Sequence, residues 1–141
     1  MNSTLLYRIA AVLLVLFAVG HTLGFMTFKP HSTEGMAVRE AMTPVHCEFR
    51  GKEYSYGNFY RGFGLTVTAY LLFSAFLAWY LGDVAARAPA VMVSLAWAFV
   101  GVQMVCLGLS VLYFFLVPAL FSGVIVICLA WAAWLVSATG A

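Results

Sequence analysis

A histidine inside a long apolar segment is the residue of this sequence whose type and position most directly suggest chemistry. His21 lies within an apolar run that covers about residues 5–28. Polar side chains are costly inside a membrane span, so they often have a function there. Imidazole exchanges protons near neutral pH, and His21 could therefore act as a general acid or base. The alternative is a packed histidine that hydrogen-bonds to a neighbouring helix.

The densest group of polar side chains lies at residues 48–62, directly before the second apolar segment. A carboxylic acid that is buried or paired with arginine can transfer protons. We therefore assign Glu48 or Glu53 as the catalytic acid and His21 as the base or orienting group. The candidate substrate-binding residues are Arg50, Tyr54, Asn58, Tyr60, Arg61, Gln103 and Tyr113. The alternative is a solvated rim of arginine and tyrosine at the lipid headgroups.

Two of these candidates lie in the third apolar segment. Gln103 is near its middle, and its amide can both donate and accept hydrogen bonds. It could hold a substrate oxygen or bond to a neighbouring helix. Tyr113 lies nearer the polar loop and could reach the same cavity.

The sequence gives no pattern for a metal or a cofactor. Its three histidines, His21, His31 and His46, form no HxxxH pair, and its three cysteines form no CxxC. P-loop and dinucleotide-binding glycine patterns are also absent. The net charge is only +2, without a long basic stretch, which argues against nucleic acid as a partner. We therefore predict no metal and no cofactor.

The composition identifies the solvent that these residues need. Hydrophobic residues make up 65% of the chain and charged residues 9%, and the mean hydropathy is +1.01. Soluble domains are roughly half apolar and a quarter charged, so this chain requires the lipid bilayer as a partner. A helix needs about 20 apolar residues to cross a bilayer. The predicted spans cover about residues 5–28, 57–81, 89–117 and 118–137.

The spans are predicted to be helices, because a backbone in lipid must satisfy its hydrogen bonds internally. Short connections after the second and third spans make neighbouring helices antiparallel. We therefore expect an all-α, up-down-up-down four-helix bundle that forms one transmembrane domain over residues 1–141. The polar loop, residues 29–56, contains a short helix at about residues 33–42 that ends before Pro44. Pro89 and Pro118 are expected to open the third and fourth spans.

Two functions agree with this architecture. The first is a multi-pass membrane enzyme that uses cofactor-free acid–base chemistry on a lipophilic small molecule, as an isomerase, cyclase or hydrolase that opens an epoxide. The second is a non-enzymatic subunit that binds a lipid, a quinone or a partner's helices. A transporter is a third reading, and with four spans it would need a homodimer. The expected location is an inner membrane of bacterial type or an equivalent internal membrane.

Two motifs carry a resemblance. Residues 20–24 read GHTLG near the end of the first span, and residues 59–64 read FYRGFG at the start of the second. With these motifs the chain resembles a family of small four-span bacterial membrane proteins. That family's pattern has Arg-Ser and Asp where this chain has Tyr54-Ser55 and Asn58. The resemblance implies the fold and no activity. In architecture alone the chain is also similar to four-helix membrane enzymes of the sterol-isomerase kind.

Overall fold

The computed structural model describes residues 2–139, which contain five α-helices and one β-hairpin. The elements are α1 (Ser3–Thr27), α2 (Thr33–Ala41), β1 (His46–Phe49), β2 (Lys52–Ser55), α3 (Tyr56–Arg87), α4 (Pro89–Tyr113) and α5 (Leu116–Thr139). The prediction of an all-α chain with four long helices is confirmed, and so is the short helix in the polar loop.

Four of these helices are long and apolar enough to cross a membrane: α1, α3, α4 and, in α5, Leu116–Ala138. Large apolar side chains along them remain exposed, among them Leu16, Phe73, Val105 and Ile127. In water such a surface would be unfavourable, whereas lipid tails cover it without cost. The chain is therefore a multi-pass membrane protein.

Several helix boundaries differ from those predicted, and α4 ends at Tyr113 rather than at about residue 117. α3 continues to Arg87, because residues 82–87 contain no proline and include two alanines, which favour helix. Only Ala88 separates α3 from Pro89. α5 begins at Leu116 rather than at Pro118. Proline is tolerated in a first helical turn because the backbone N–H that it lacks has no partner there.

The β-hairpin replaces part of the predicted irregular loop. β1 and β2 are antiparallel and are joined at Arg50 and Gly51, which have φ values of 54° and 74°. Positive φ at both central residues is the geometry of a type I′ turn. The usual sequence signal for such a turn is Asn-Gly or Asp-Gly, and arginine is uncommon at positive φ. Arg50-Gly51 therefore did not predict a hairpin.

The described chain forms two compact units. The four-helix unit comprises Met1–Phe17 and Leu71–Ala141, in its described residues. Each of its four helices contributes to one apolar core, for example through Leu14, Leu81, Phe99 and Leu129, which are all buried. This unit is a four-helix bundle, while the expectation of a single domain for the whole chain stays a prediction.

The hairpin unit, Ala18–Tyr70, contains the end of α1, α2, the hairpin and the first half of α3. The start of α3 is fixed to the preceding loop. The Gly57 N–H donates to the Met42 carbonyl at 2.7 Å, and the buried Ser55 hydroxyl accepts from the Asn58 N–H at 3.1 Å. Ser55 therefore caps α3, whose first two turns carry residues 56–62 of the polar group at residues 48–62.

Replacing Ser55 with alanine is expected to destabilise the first turn of α3 by about 1 kcal/mol, because the Asn58 N–H loses its acceptor. Hydrogen exchange should become faster at residues 56–59. The control is Ser94→Ala, at an exposed serine inside α4. Unchanged exchange in the Ser55 variant would show that the cap does not stabilise this turn.

Candidate functional site

The His21 side chain contacts the backbone of α3. Its Nε2 lies 3.1 Å from the Gly64 carbonyl oxygen, and its ring lies 5.2 Å from the Phe25 ring between centroids. Since a carbonyl only accepts hydrogen bonds, Nε2 carries the proton and donates it. In the neutral ring the remaining nitrogen, Nδ1, has the lone pair. This is the geometry of a packed histidine that binds a neighbouring helix.

Two threonines extend this contact. The hydroxyls of Thr22 and Thr68 lie 2.8 Å apart, and the Thr68 hydroxyl donates to the same Gly64 carbonyl at 3.1 Å. The Phe25 ring lies over Gly64, where an added Cβ would come within 2.7 Å of it. We call His21, Thr22, Gly64 and Thr68 the interhelical seam. The two sequence motifs supply three of its members, so their pattern has a packing explanation.

The two candidate acids lie on the hairpin. Glu48 and Glu53 are cross-strand partners, and both are exposed. The described residues give neither carboxylate an ion-pair partner, and like charges directly opposite each other destabilise a sheet. Arg50 is exposed in the turn, with its guanidinium carbon 5.7 Å from the centre of the Phe49 ring. The contacts of His21 include neither carboxylate.

Two candidate substrate-binding residues, Tyr54 and Asn58, do come together, in a groove of about 290 Å³ on the hairpin unit. The Tyr54 and Phe59 rings lie 5.9 Å apart between centroids, and the Phe59 and Phe63 rings lie 6.4 Å apart. We call this site the aromatic groove. It is lined by Tyr54, Asn58, Phe59, Gly62, Phe63 and Thr66.

The other four candidate substrate-binding residues lie elsewhere. Tyr60 meets the Phe25 ring edge-on at 6.2 Å, and Arg61 is exposed on α3. Gln103 is only 3% exposed, and its amide donates to the Ser74 hydroxyl at 3.4 Å within the four-helix unit. Tyr113, at the end of α4, is 75% exposed. Residues 2–139 contain no group of three His, Cys, Asp or Glu side chains placed to hold a metal ion.

Sequence reasoning missed an ion pair in the four-helix unit. Arg8 Nη2 donates to the Asp83 carboxylate at 2.5 Å, and the guanidinium carbon lies 3.4 Å from the centre of the Trp79 ring. A signal was present, since Asp83 is the only acidic residue after residue 53 in the sequence. A carboxylate between two long apolar segments is stabilised by a basic partner. The two candidates at this end of the helices are Arg8 and Arg87.

No protein family, curated protein or solved structure matches this chain. The resemblance based on residues 20–24 and 59–64 stays a prediction.

Proposed function

We propose that this multi-pass membrane protein binds a lipophilic, ring-bearing small molecule of the quinone type in the aromatic groove and does not transform it. The observation that carries the proposal is a row of partly exposed aromatic rings beside the side-chain amide of Asn58, which has no hydrogen-bond partner within residues 2–139. Small-molecule sites typically combine aromatic walls with a few polar groups, and a quinone head offers a flat ring and carbonyl oxygens to match them.

The rings provide the stacking surface. Tyr54 and Phe59 are each about two-fifths exposed, and Phe63 is 71% exposed, so their faces are open to a ligand. Stacked aromatic pairs contribute about 0.5–1.5 kcal/mol beyond the area that they bury. The groove volume of about 290 Å³ is near the lower end of the roughly 300–1,000 Å³ typical of ligand sites. It suits a single ring whose apolar tail extends into the lipid.

The polar groups provide the orientation. The backbone N–H of Asn58 is already bonded to Ser55, but its side-chain amide has no partner among the described residues. An amide donates to a carbonyl and accepts from a hydroxyl, so Asn58 can bind both the oxidised and the reduced form of a quinone. The Thr66 hydroxyl donates to the Gly62 carbonyl at 2.9 Å and keeps its lone pairs as acceptors.

The side chains that line the aromatic groove favour binding of a ligand over acid–base turnover. Its lining includes no carboxylate, imidazole or amine, so Tyr54 is the only titratable side chain beside a bound ring. Glu48 and Glu53 are exposed on the hairpin, and His21 donates to Gly64. The acid–base enzyme of the sequence analysis stays a prediction, with no cavity at His21 among the two grooves described.

The test is equilibrium binding of decylubiquinone to the purified full-length protein in nanodiscs. Gly62→Leu is expected to abolish saturable binding, because Gly62 lines the groove and open space surrounds it. Phe59→Leu is expected to weaken binding about five- to tenfold, the equivalent of about 1–1.4 kcal/mol.

Two controls make the result specific. Gly101→Leu adds the same side chain at an open position on α4, and Phe73→Leu removes an exposed ring outside the groove. Both are expected to bind the quinone as the wild type does. Absence of saturable binding to the wild type, or equal losses in the groove and control variants, would refute the proposal.

A further inference from the structure

A second groove lies on the lipid-facing side of the four-helix unit, between α1 and α3. Its volume is about 370 Å³, and its lining is almost entirely apolar. Val12 and Val15 form part of its α1 wall, and its α3 wall runs from Leu72 to Trp79. At 1.5 Å per residue that wall is roughly 10 Å long. We call it the lateral groove.

The charged side chains of this unit cluster at the Trp79 end of the lateral groove. Arg8 lies one helical turn before Val12 on α1, and its guanidinium stacks on Trp79 while it donates to Asp83. On α3, Trp79, Asp83 and Arg87 follow each other at intervals of four residues, so they share one helix face. Both walls of the groove therefore lead to an arginine.

The charges at this end do not cancel. Arg8, Asp83 and Arg87 are the only charged side chains of the four-helix unit, so two arginines against one aspartate leave +1. The Arg8 side chain is 27% exposed and Arg87 is exposed, so an anion can approach both. Guanidinium groups match phosphate oxygens in geometry as well as in charge.

One donor of Arg8 indicates that the pairing is incomplete. Its Nη1 is buried, and no acceptor among the described residues bonds to it. A buried donor without an acceptor is unfavourable. The bond to Asp83 therefore satisfies only part of the guanidinium, and a phosphate can bond to Nη1 only when the Arg8 side chain turns this nitrogen out of its buried position.

We propose that the lateral groove binds one acyl chain of an anionic glycerophospholipid, whose phosphate is held by Arg8 and Arg87. The chain lies against the apolar walls between Leu72 and Trp79. Arg8, Trp79 and Arg87 lie together at one end of α1 and α3. This agrees with a place at the level of the lipid headgroups, where tryptophan and arginine are typical. The uncompensated positive charge favours an anionic lipid over a zwitterionic one and over an apolar partner helix.

The experiment is native mass spectrometry of the delipidated full-length protein after transfer to mixed vesicles of phosphatidylglycerol and phosphatidylcholine. One phosphatidylglycerol per chain is expected to be retained, with about a tenfold preference over phosphatidylcholine. Equal retention of both lipids, or a protein dimer that carries no lipid, would overturn the proposal.

Variants separate the two parts of the site. Arg87→Gln is expected to reduce the preference about threefold, whereas Lys29→Gln, which removes a charge elsewhere, should not change it. Val15→Phe is expected to fill the groove from its exposed side and to lower retention of both lipids at least fivefold. Val19→Phe, one turn along α1 and outside the groove lining, is the matched control. Equal retention in the two phenylalanine variants would show that the bound lipid lies elsewhere.

Discussion

Replacing Gly64 with alanine is expected to lower the free energy of unfolding by about 1–3 kcal/mol, the usual cost of adding volume to a packed site. The added methyl group would lie within 2.7–2.8 Å of three atoms of the Phe25 ring. Since that ring also packs edge-on against Tyr60, it cannot move without disturbing a second contact. Within the hairpin unit, α1 and α3 would then have to move apart, and the hydrogen bond from His21 to the Gly64 carbonyl would lengthen.

The measurement is reversible unfolding in mixed detergent micelles, followed by circular dichroism. Gly20→Ala is the matched control, because Gly20 is also inside an apolar helix but has no atoms within 4 Å of the position of a Cβ. That variant should be neutral or slightly more stable, since alanine favours helix over glycine by about 1 kcal/mol. Equal stability of both variants would mean that the packing of the Phe25 ring does not require a glycine at position 64.

The contrast between these two glycines shows what the sequence can and cannot predict about packing. Gly20 and Gly24 form a GxxxG pattern, which typically indicates a helix contact, yet both are exposed, and no atom of another helix lies within 4 Å of the position that a Cβ would occupy. Gly64 belongs to no GxxxG pair, since residues 60 and 68 are tyrosine and threonine, but the Phe25 ring packs against it. The spacing of small residues indicates where helices can approach. It does not indicate which large side chain fills the space.

The long helices were predictable because their signal is local and strong. Each apolar segment exceeds the length that a bilayer requires, and prolines or polar stretches separate them. The hairpin was not predictable, because its turn uses Arg50 at positive φ and its strands are only four residues long. Pairing between short strands depends on contacts that no local pattern encodes.

The candidate site was predictable in part. Tyr54 and Asn58 stand out as polar residues beside a span, and both line the aromatic groove. Phe59 and Phe63 do not stand out, because in a membrane span a phenylalanine that faces lipid looks the same as one that lines a groove. His21 is conspicuous in the sequence because it is polar and lies inside a span. Its partner is a backbone carbonyl, however, and every residue has one, so the sequence cannot indicate that the partner is Gly64.

Replacing His21 with leucine is expected to lower the free energy of unfolding by about 1–2 kcal/mol, near the upper range measured for side-chain hydrogen bonds between helices in membranes. Leucine preserves the apolar contact with Phe25 but donates nothing to Gly64. The affinity for decylubiquinone should stay within twofold of the wild-type value, because His21 does not line the aromatic groove. Unfolding in mixed micelles and the nanodisc binding assay measure the two quantities separately.

A glutamine at the same position distinguishes a structural role from a catalytic one. The side-chain amide of His21→Gln can donate to the Gly64 carbonyl, as Nε2 does, but it cannot exchange a proton as a general acid or base. If His21 stabilises the contact between α1 and α3, glutamine should restore part of the stability that leucine loses. If His21 is instead the base of a membrane enzyme, both variants should lose all turnover of a lipophilic substrate while the glutamine variant stays folded. Recovery of stability with no turnover in the wild type would therefore assign His21 to the interhelical seam, and turnover that both substitutions abolish would assign it to catalysis.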